Sequence, residues 1–244
     1  MQAYDGLEQS FKDDRTREIW KLDKIKDPKE WPFHIGSFEY LNTTFALHAM
    51  YVERDFVKAR GYFYTTARLS EYMLKRPGGG QIETSVPRIG YALFSDNKDI
   101  IARFCRMKTS SSETWIGNIY IHTIQSMLLG DAEQLHHWMS RYEQRFTKKK
   151  EMTYMGCLEV LKGIDINDIS LVEAGVNNLI KTHKRRPAIE TVDPYFSIFA
   201  ATMAKLAWVK GLEVKVDNPL VPMELLPVRP LDNYADAYDF LKED

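Results

Sequence analysis

The residues whose types could support metal or nucleophilic chemistry are six histidines, His34, His48, His122, His136, His137 and His183, and two cysteines, Cys105 and Cys157. No histidine pair has the helical i, i+4 spacing with an intervening glutamate that places both imidazoles on one zinc ion. His136 and His137 are neighbours, so on a helix they point about 100° apart and cannot share an ion. His48 falls on the apolar side of its segment, the setting of a hydrogen-bonded core histidine. Cys105 and Cys157 lie on apolar helical faces, as inert buried thiols do, and are too few and too far apart for a metal ribbon or a disulfide framework. Gly78-Gly79-Gly80 lacks the Lys-Ser/Thr pair of a phosphate-binding loop and joins no strand to a helix. No Gly-x-Ser-x-Gly elbow occurs. The expectation is a protein without catalytic residues, metal or cofactor.

Two basic runs remain, Lys148-Lys149-Lys150 and Lys184-Arg185-Arg186. Each follows a predicted helix, where cations complement the negative end of the macrodipole and solubilise a turn. The 33 basic residues are balanced by 34 acidic ones, a formal charge of -1. That balance, without exposed aromatics between the basic residues, argues against direct nucleic-acid binding.

The elements that position these residues follow from periodicity. At 244 residues, 44% hydrophobic and 27% charged, the chain has a globular composition. No run approaches the ~18 apolar residues of a membrane span. Met1-Gln2-Ala3-Tyr4-Asp5 runs straight into polar sequence without the pattern of a secretory signal, so a cytoplasmic location and no membrane partner are expected. Phe38, Leu41, Phe45, Ala49, Val52 and Phe56 line one helical face, and Phe56, Ala59, Phe63, Ala67 and Leu74 continue the rhythm. The polar break Glu53-Arg54-Asp55 between them predicts a tight turn and two antiparallel helices. Arg76-Pro77-Gly78-Gly79-Gly80 ends the second, and residues 76–86 read as a loop.

Further on, Ser95-Asp96, Gly130-Asp131 and Gly163-Ile164-Asp165 suggest helix stops, each followed by an aspartate that opens the next helix. The aspartates recur at about 34 residues, the period of stacked helical hairpins. Asp131 and Gln134 form a capping-box-like pair, and Leu135, Trp138, Tyr142 and Phe146 make a stripe after it. Residues 115–129 are apolar nearly all round, which predicts the buried centre of the fold. Asp193-Pro194 reads as the start of the last helix and Gly211 as its stop. Val214-Lys215-Val216, Pro219, Pro222, Pro227 and Pro230 keep the rest extended. The reading is an all-α fold, a single domain of roughly ten helices packed as antiparallel helical hairpins. Residues 1–36 form a charged amphipathic lead-in, 38–210 the helical body and 211–244 an extended, proline-rich C-terminal cover.

The segment Phe199-Ala200-Ala201-Thr202-Met203-Ala204-Lys205-Leu206-Ala207-Trp208-Val209-Lys210-Gly211-Leu212-Glu213-Val214-Lys215-Val216-Asp217-Asn218-Pro219-Leu220-Val221-Pro222 is similar to the ending of the immunity protein 49 family of bacterial polymorphic toxin systems. There an alanine-rich helix with a Leu-Ala step runs into a glycine, a valine-containing extended piece and a proline-leucine ending like Glu224-Leu225-Leu226-Pro227. Leu93-Phe94-Ser95-Asp96-Asn97 and His183-Lys184-Arg185-Arg186 stand where the family's corresponding turns would fall. A related all-helical immunity family has a similar C-terminal helix and proline-rich end, so the resemblance is to the immunity class before it is to one family. It implies a cytoplasmic immunity protein that binds and neutralises a cognate toxin, such as a nuclease, by occluding its active site or substrate path. The alternative is a helical-repeat scaffold for protein–protein interaction in a regulatory assembly.

The resemblance transfers no interface residues, so the partner-binding candidates come from composition. Asp232-Asn233-Tyr234-Ala235-Asp236-Ala237-Tyr238-Asp239-Phe240 interleaves acids with aromatics. Asp232, Asp236 and Asp239 would steer a basic toxin, and Tyr234 and Tyr238 would supply rigid contact area. The competing reading is that Tyr234, Tyr238 and Phe240 pin the tail to the helical body.

Overall fold

In the computed structural model, side-chain caps set several of the helix starts. Asp55, Asn97, Asp131 and Asp168 each accept a hydrogen bond from the backbone N–H three residues ahead, at 2.8, 2.9, 3.1 and 3.0 Å. Each bond satisfies a donor that the first helical turn leaves open. The structure describes residues 4–24, 31–76, 80–84, 87–108, 115–145, 151–186 and 192–242, without the side chains of 31–34, 84 and 151. Phe146, Lys148-Lys149-Lys150, Pro77, Gly78 and Gly79 therefore lie outside the described residues.

The fold is all-α, a single packed domain of ten helices with no strand among the described residues. They are α1 (Asp5–Lys24), α2 (Trp31–His48), α3 (Phe56–Leu74), α4 (Pro87–Ser95), α5 (Lys98–Cys105), α6 (Ile116–Leu129), α7 (Ala132–Arg145), α8 (Met155–Asp165), α9 (Ile169–Lys181) and α10 (Ile198–Val209). From α1 to α9 each helix packs on the next, and α10 returns against α4, α8 and α9. Small residues permit these contacts: Ala200, Ala201, Ala204 and Ala207 of α10 are fully buried. Between α8 and α9 a Cβ at Gly175 would lie 2.7 Å from the Gly156 carbonyl oxygen, so only glycine allows the observed approach.

Several boundaries differ from the sequence reading. The break at Glu53-Arg54-Asp55 is present: α2 runs into a single π turn, Ala49–Glu53, and Arg54 reverses the chain at φ 59°. Gly130 at φ 72° and Asp131 act as stop and cap, as expected. The other two junctions are shifted. Asp96, at φ 57°, is buried, and Asn97 caps α5. Gly163 lies inside α8 against Val172, Asp165 is the last residue of α8, and Asp168 caps α9. The last helix begins at Ile198 rather than Asp193. The backbone N–H groups of Tyr195 and Phe196 donate to the Val192 carbonyl, which turns the chain and buries Phe196 between Phe63 and Phe94. Tertiary packing of that aromatic ring overrides the local Asp-Pro signal.

The lead-in read over residues 1–36 contains α1 and the start of α2. α2 begins at Trp31, and α1 packs against it through Phe11, whose ring stacks on His48 at 3.9 Å. Helix α6 is buried along its middle, but Trp115 precedes it at 40% exposure and Leu129 ends it at 57%. α10, buried from Ala200 to Ala207, shares the centre with α6 and α3.

Beyond Gly211, at φ 89°, the chain crosses the helices as a strap. Among the described residues its helical turns are short 3-10 turns at Met223–Leu225 and Asp239–Leu241. Its own Val214, Val216, Val221, Leu225, Leu226 and Leu241 are buried, so the extended cover expected from the spaced prolines is a structural part of the core.

Candidate functional site

The strap is held by charges that are mostly buried. At the C-terminal end of α4 the Asp96 carboxylate is 0% exposed. Its Oδ2 accepts from Arg60 Nε of α3 at 2.9 Å and from the backbone N–H of Arg229 at 3.1 Å. Its Oδ1 lies 2.6 Å from Lys205 Nζ of α10, also fully buried. Lys205 Nζ donates to the carbonyls of Leu225 and Pro227 at 3.1 and 3.0 Å, and Arg60 Nη2 to those of Glu224 and Pro227 at 3.1 and 3.2 Å. One carboxylate thus joins two cations, and both cations hold the strap backbone. Burial lowers the Lys205 ammonium to about 8, against the opposing pull of Asp96.

A second anchor holds the tail. Glu71 of α3, 0% exposed, accepts from Arg68 at 2.6 Å and from Arg103 of α5 at 2.6 and 3.1 Å. Burial alone would raise its carboxyl, but Arg103 and Arg68 outweigh it and leave Glu71 below its ordinary range. Arg68 also donates to both oxygens of Asp236, at 2.9 and 3.1 Å, and to the Leu241 carbonyl at 2.8 Å.

These contacts decide where the partner-binding candidates stand. Tyr238 is 5% exposed; its hydroxyl donates to Glu18 at 2.5 Å and accepts from Asn42 at 2.7 Å. Its ring lies in a satellite core with Phe38 and Phe240. The Tyr234 hydroxyl donates to the Ser95 carbonyl at 2.7 Å and accepts the Leu231 N–H at 2.9 Å. Asp236 is paired with Arg68. Tyr234, Asp236 and Tyr238 therefore tie the docked tail to the body, while Asp232 and Asp239 keep their carboxylates at the surface. Asp232 borders an open cleft of about 650 Å³ between the α2–α3 turn and strap residues 229–233, which Arg54, Val57, Arg229 and Leu231 also line.

The described histidine side chains are dispersed, and that of His34 lies outside the described residues. His48 Nε2 lies 2.8 Å from Glu8 Oε2 inside the α1–α2 contact, and His122 stacks on Trp138 at 4.4 Å. His136 pairs with Asp165 at 2.9 Å, and His183 with the Asp193 carbonyl at 2.8 Å. Among the described residues no three His, Cys, Asp or Glu side chains are grouped to hold a metal ion. Cys105 and Cys157 are buried, and burial pushes their thiols up to about 11 and about 12. Such thiols stay protonated and are poor nucleophiles at neutral pH.

The basic run at the end of α9 is not wholly a solvated turn. Lys184 and Arg185 are exposed, but Arg186 is 7% exposed and donates to the Leu179 and Thr153 carbonyls. It satisfies the Leu179 carbonyl in the last turn of α9 and ties that end to Thr153 in the turn before α8, and burial lowers its guanidinium. Sequence reasoning missed Arg60, Glu71, Arg186 and Lys205 as buried charges. Only Lys205 carried a signal, as the sole charged residue of the 12-residue α10. No protein-family model, curated protein or solved structure matches this chain significantly.

Proposed function

We propose that this chain is an immunity protein of a bacterial toxin system, acting in the cytoplasm by binding one cognate toxin and blocking its active site or substrate path. It carries out no chemistry and needs no cofactor in this reading. The observation that carries it is the resemblance of residues 199–227 to the ending of that class. Its alanine-rich helix, glycine stop and spaced prolines correspond to α10, the Gly211 reversal and the strap. The ion-paired strap adds support, because a fixed surface loses little conformational freedom on association. A nuclease fits as the toxin, since an inhibitor with near-neutral charge does not compete for nucleic acid itself.

The successive packing of α1 to α9 favours a second reading, a helical-repeat scaffold. Gene context and co-expression separate the two. Co-expression with the toxin candidate encoded next to this chain is expected to restore growth and to yield a co-purifying complex. Persistent killing, with the chain folded and abundant, would exclude the immunity reading.

A further inference from the structure

The α2–α3 turn and the strap form the two walls of the open cleft of about 650 Å³. Both walls are fixed from within. In the turn the Asp55 N–H donates to the Ala49 carbonyl at 2.8 Å, and the Asp55 carboxylate caps α3. In the strap the Arg229 N–H donates to Asp96 at 3.1 Å, and the Leu231 N–H donates at 2.9 Å to the Tyr234 hydroxyl, itself bonded to the Ser95 carbonyl. Each wall is thus anchored to the helical body, and the cleft between them is preorganised.

What the lining presents is only partly used by the fold. Arg60 is held by Asp96, and Asp55 serves its cap. Arg54, Arg229 and Asp232 are exposed, and among the described residues none of their side chains makes a hydrogen bond or an ion pair. Of the acids beyond the walls, Glu53 is paired with Lys58 at 2.7 Å and Glu224 lies toward Tyr51. Two open guanidiniums therefore share the cleft with one open carboxylate. Apolar surface stands beside them: Val57 is 66% exposed, and Phe56, Pro230 and Leu231 also line the cleft. Because these residues border one continuous space, the charges and the apolar side chains form a single patch.

We infer that this cleft is a docking site for a peptide segment of a partner protein in which an acidic side chain stands beside an aliphatic one. The occupant follows from the donor chemistry. A guanidinium is a planar fork that matches a carboxylate in a bidentate pair, and Arg54 and Arg229 offer two such forks. The aliphatic neighbour covers Val57 and Leu231, and the Asp232 carboxylate, an acceptor only, takes a backbone N–H of the segment. That same carboxylate opposes the closely spaced phosphates of a nucleic acid, which favours a peptide. The inference goes beyond the immunity reading and does not depend on it, since a toxin and the partner of a scaffold are both proteins.

The test adds acetyl-Leu-Glu-Leu-amide to the intact chain at low salt and follows the backbone amide resonances. Saturable shifts confined to residues 54–57 and 229–233 are expected, with acetyl-Leu-Gln-Leu-amide binding about tenfold more weakly, the scale of a hydrogen bond to a charged group. Arg54→Gln and Arg229→Gln are each expected to weaken the acidic peptide about tenfold and to leave the melting temperature unchanged, because both side chains are exposed. Absence of a saturable shift, equal binding of the two peptides, or binding unaffected by either arginine variant would each overturn the proposal. Shifts at these residues from a single-stranded oligonucleotide, and not from the peptide, would overturn it in favour of a nucleic-acid site. None of these outcomes touches the immunity reading, which co-expression with the toxin decides.

Discussion

Arg60 and Asp96, 36 residues apart in sequence, meet at 2.9 Å with side chains 2% and 0% exposed, and between them they hold both Lys205 and the strap backbone. Neither cation is compensated without Asp96, whereas Asp96 keeps Arg60 and the Arg229 N–H without Lys205. Asp96→Ala is therefore expected to cost about 3–5 kcal/mol, the range for breaking a buried pair by removing one partner. Lys205→Met, which substitutes an apolar chain of similar length, should cost clearly less. Urea denaturation of both variants measures the difference; equal losses would mean that Asp96 does not organise the cluster.

The tail anchor gives a separate expectation. Tyr238→Phe removes the hydroxyl shared by Glu18 and Asn42 and leaves both buried groups short of a partner. A loss of about 1–3 kcal/mol is expected. Hydrogen exchange should quicken in residues 236–241 before it does in α10.

Ile124 and Trp115 test where the core lies. Ile124 is 0% exposed in the middle of α6, and Trp115 is 40% exposed at its start. Ile124→Asp buries an unpaired charge and should destabilise by several kcal/mol, on the order of the cost of an uncompensated buried carboxylate. Trp115→Asp should remain within about 1 kcal/mol, as exposed positions do. Comparable melting temperatures for the two would contradict the burial of α6.

The thiols predict an alkaline limit. Burial raises Cys105 and Cys157 above the ordinary value of 9.0, to about 11 and about 12. A group raised in the folded state contributes stability that is fully present below its unfolded pKa and is lost as pH climbs toward the folded value. The contribution of the thiols should therefore hold below pH 9 and decline between 9 and 12. Lys205 acts oppositely: its folded value of about 8 lies below the ordinary 10.5, so its contribution grows between pH 8 and 10.5 and is level above that. Cys157→Ala should remove only its own share of the alkaline decline, as read from melting temperatures across that range, because burial also raises Tyr51, Tyr91, Tyr120, Tyr142 and Tyr238.

The sequence made the helices legible where capping and periodicity agree, as at Asp131 and along Phe38 to Leu74. It misplaced Asp96 and Asp165, because an aspartate near a helix end looks the same whether it caps a backbone or pairs with a side chain of another helix. Arg60 and Glu71 carried no local mark, since their partners come from other helices. The tail composition was legible but its use was not: alternating acids and aromatics suit an exposed surface and a pinned strap alike. What separated the two was Arg68 and Glu18, 168 and 220 residues from their partners.

The function proposed for this chain is inhibition of a toxin by direct binding. Its most direct measurement is titration of the purified chain into an activity assay of the neighbouring toxin domain, with the stoichiometry read from the break in the curve. Loss of toxin activity in proportion to added chain, complete at one chain per toxin and unchanged by chelator, is the expected result. Full toxin activity at a large molar excess of folded chain would contradict the account.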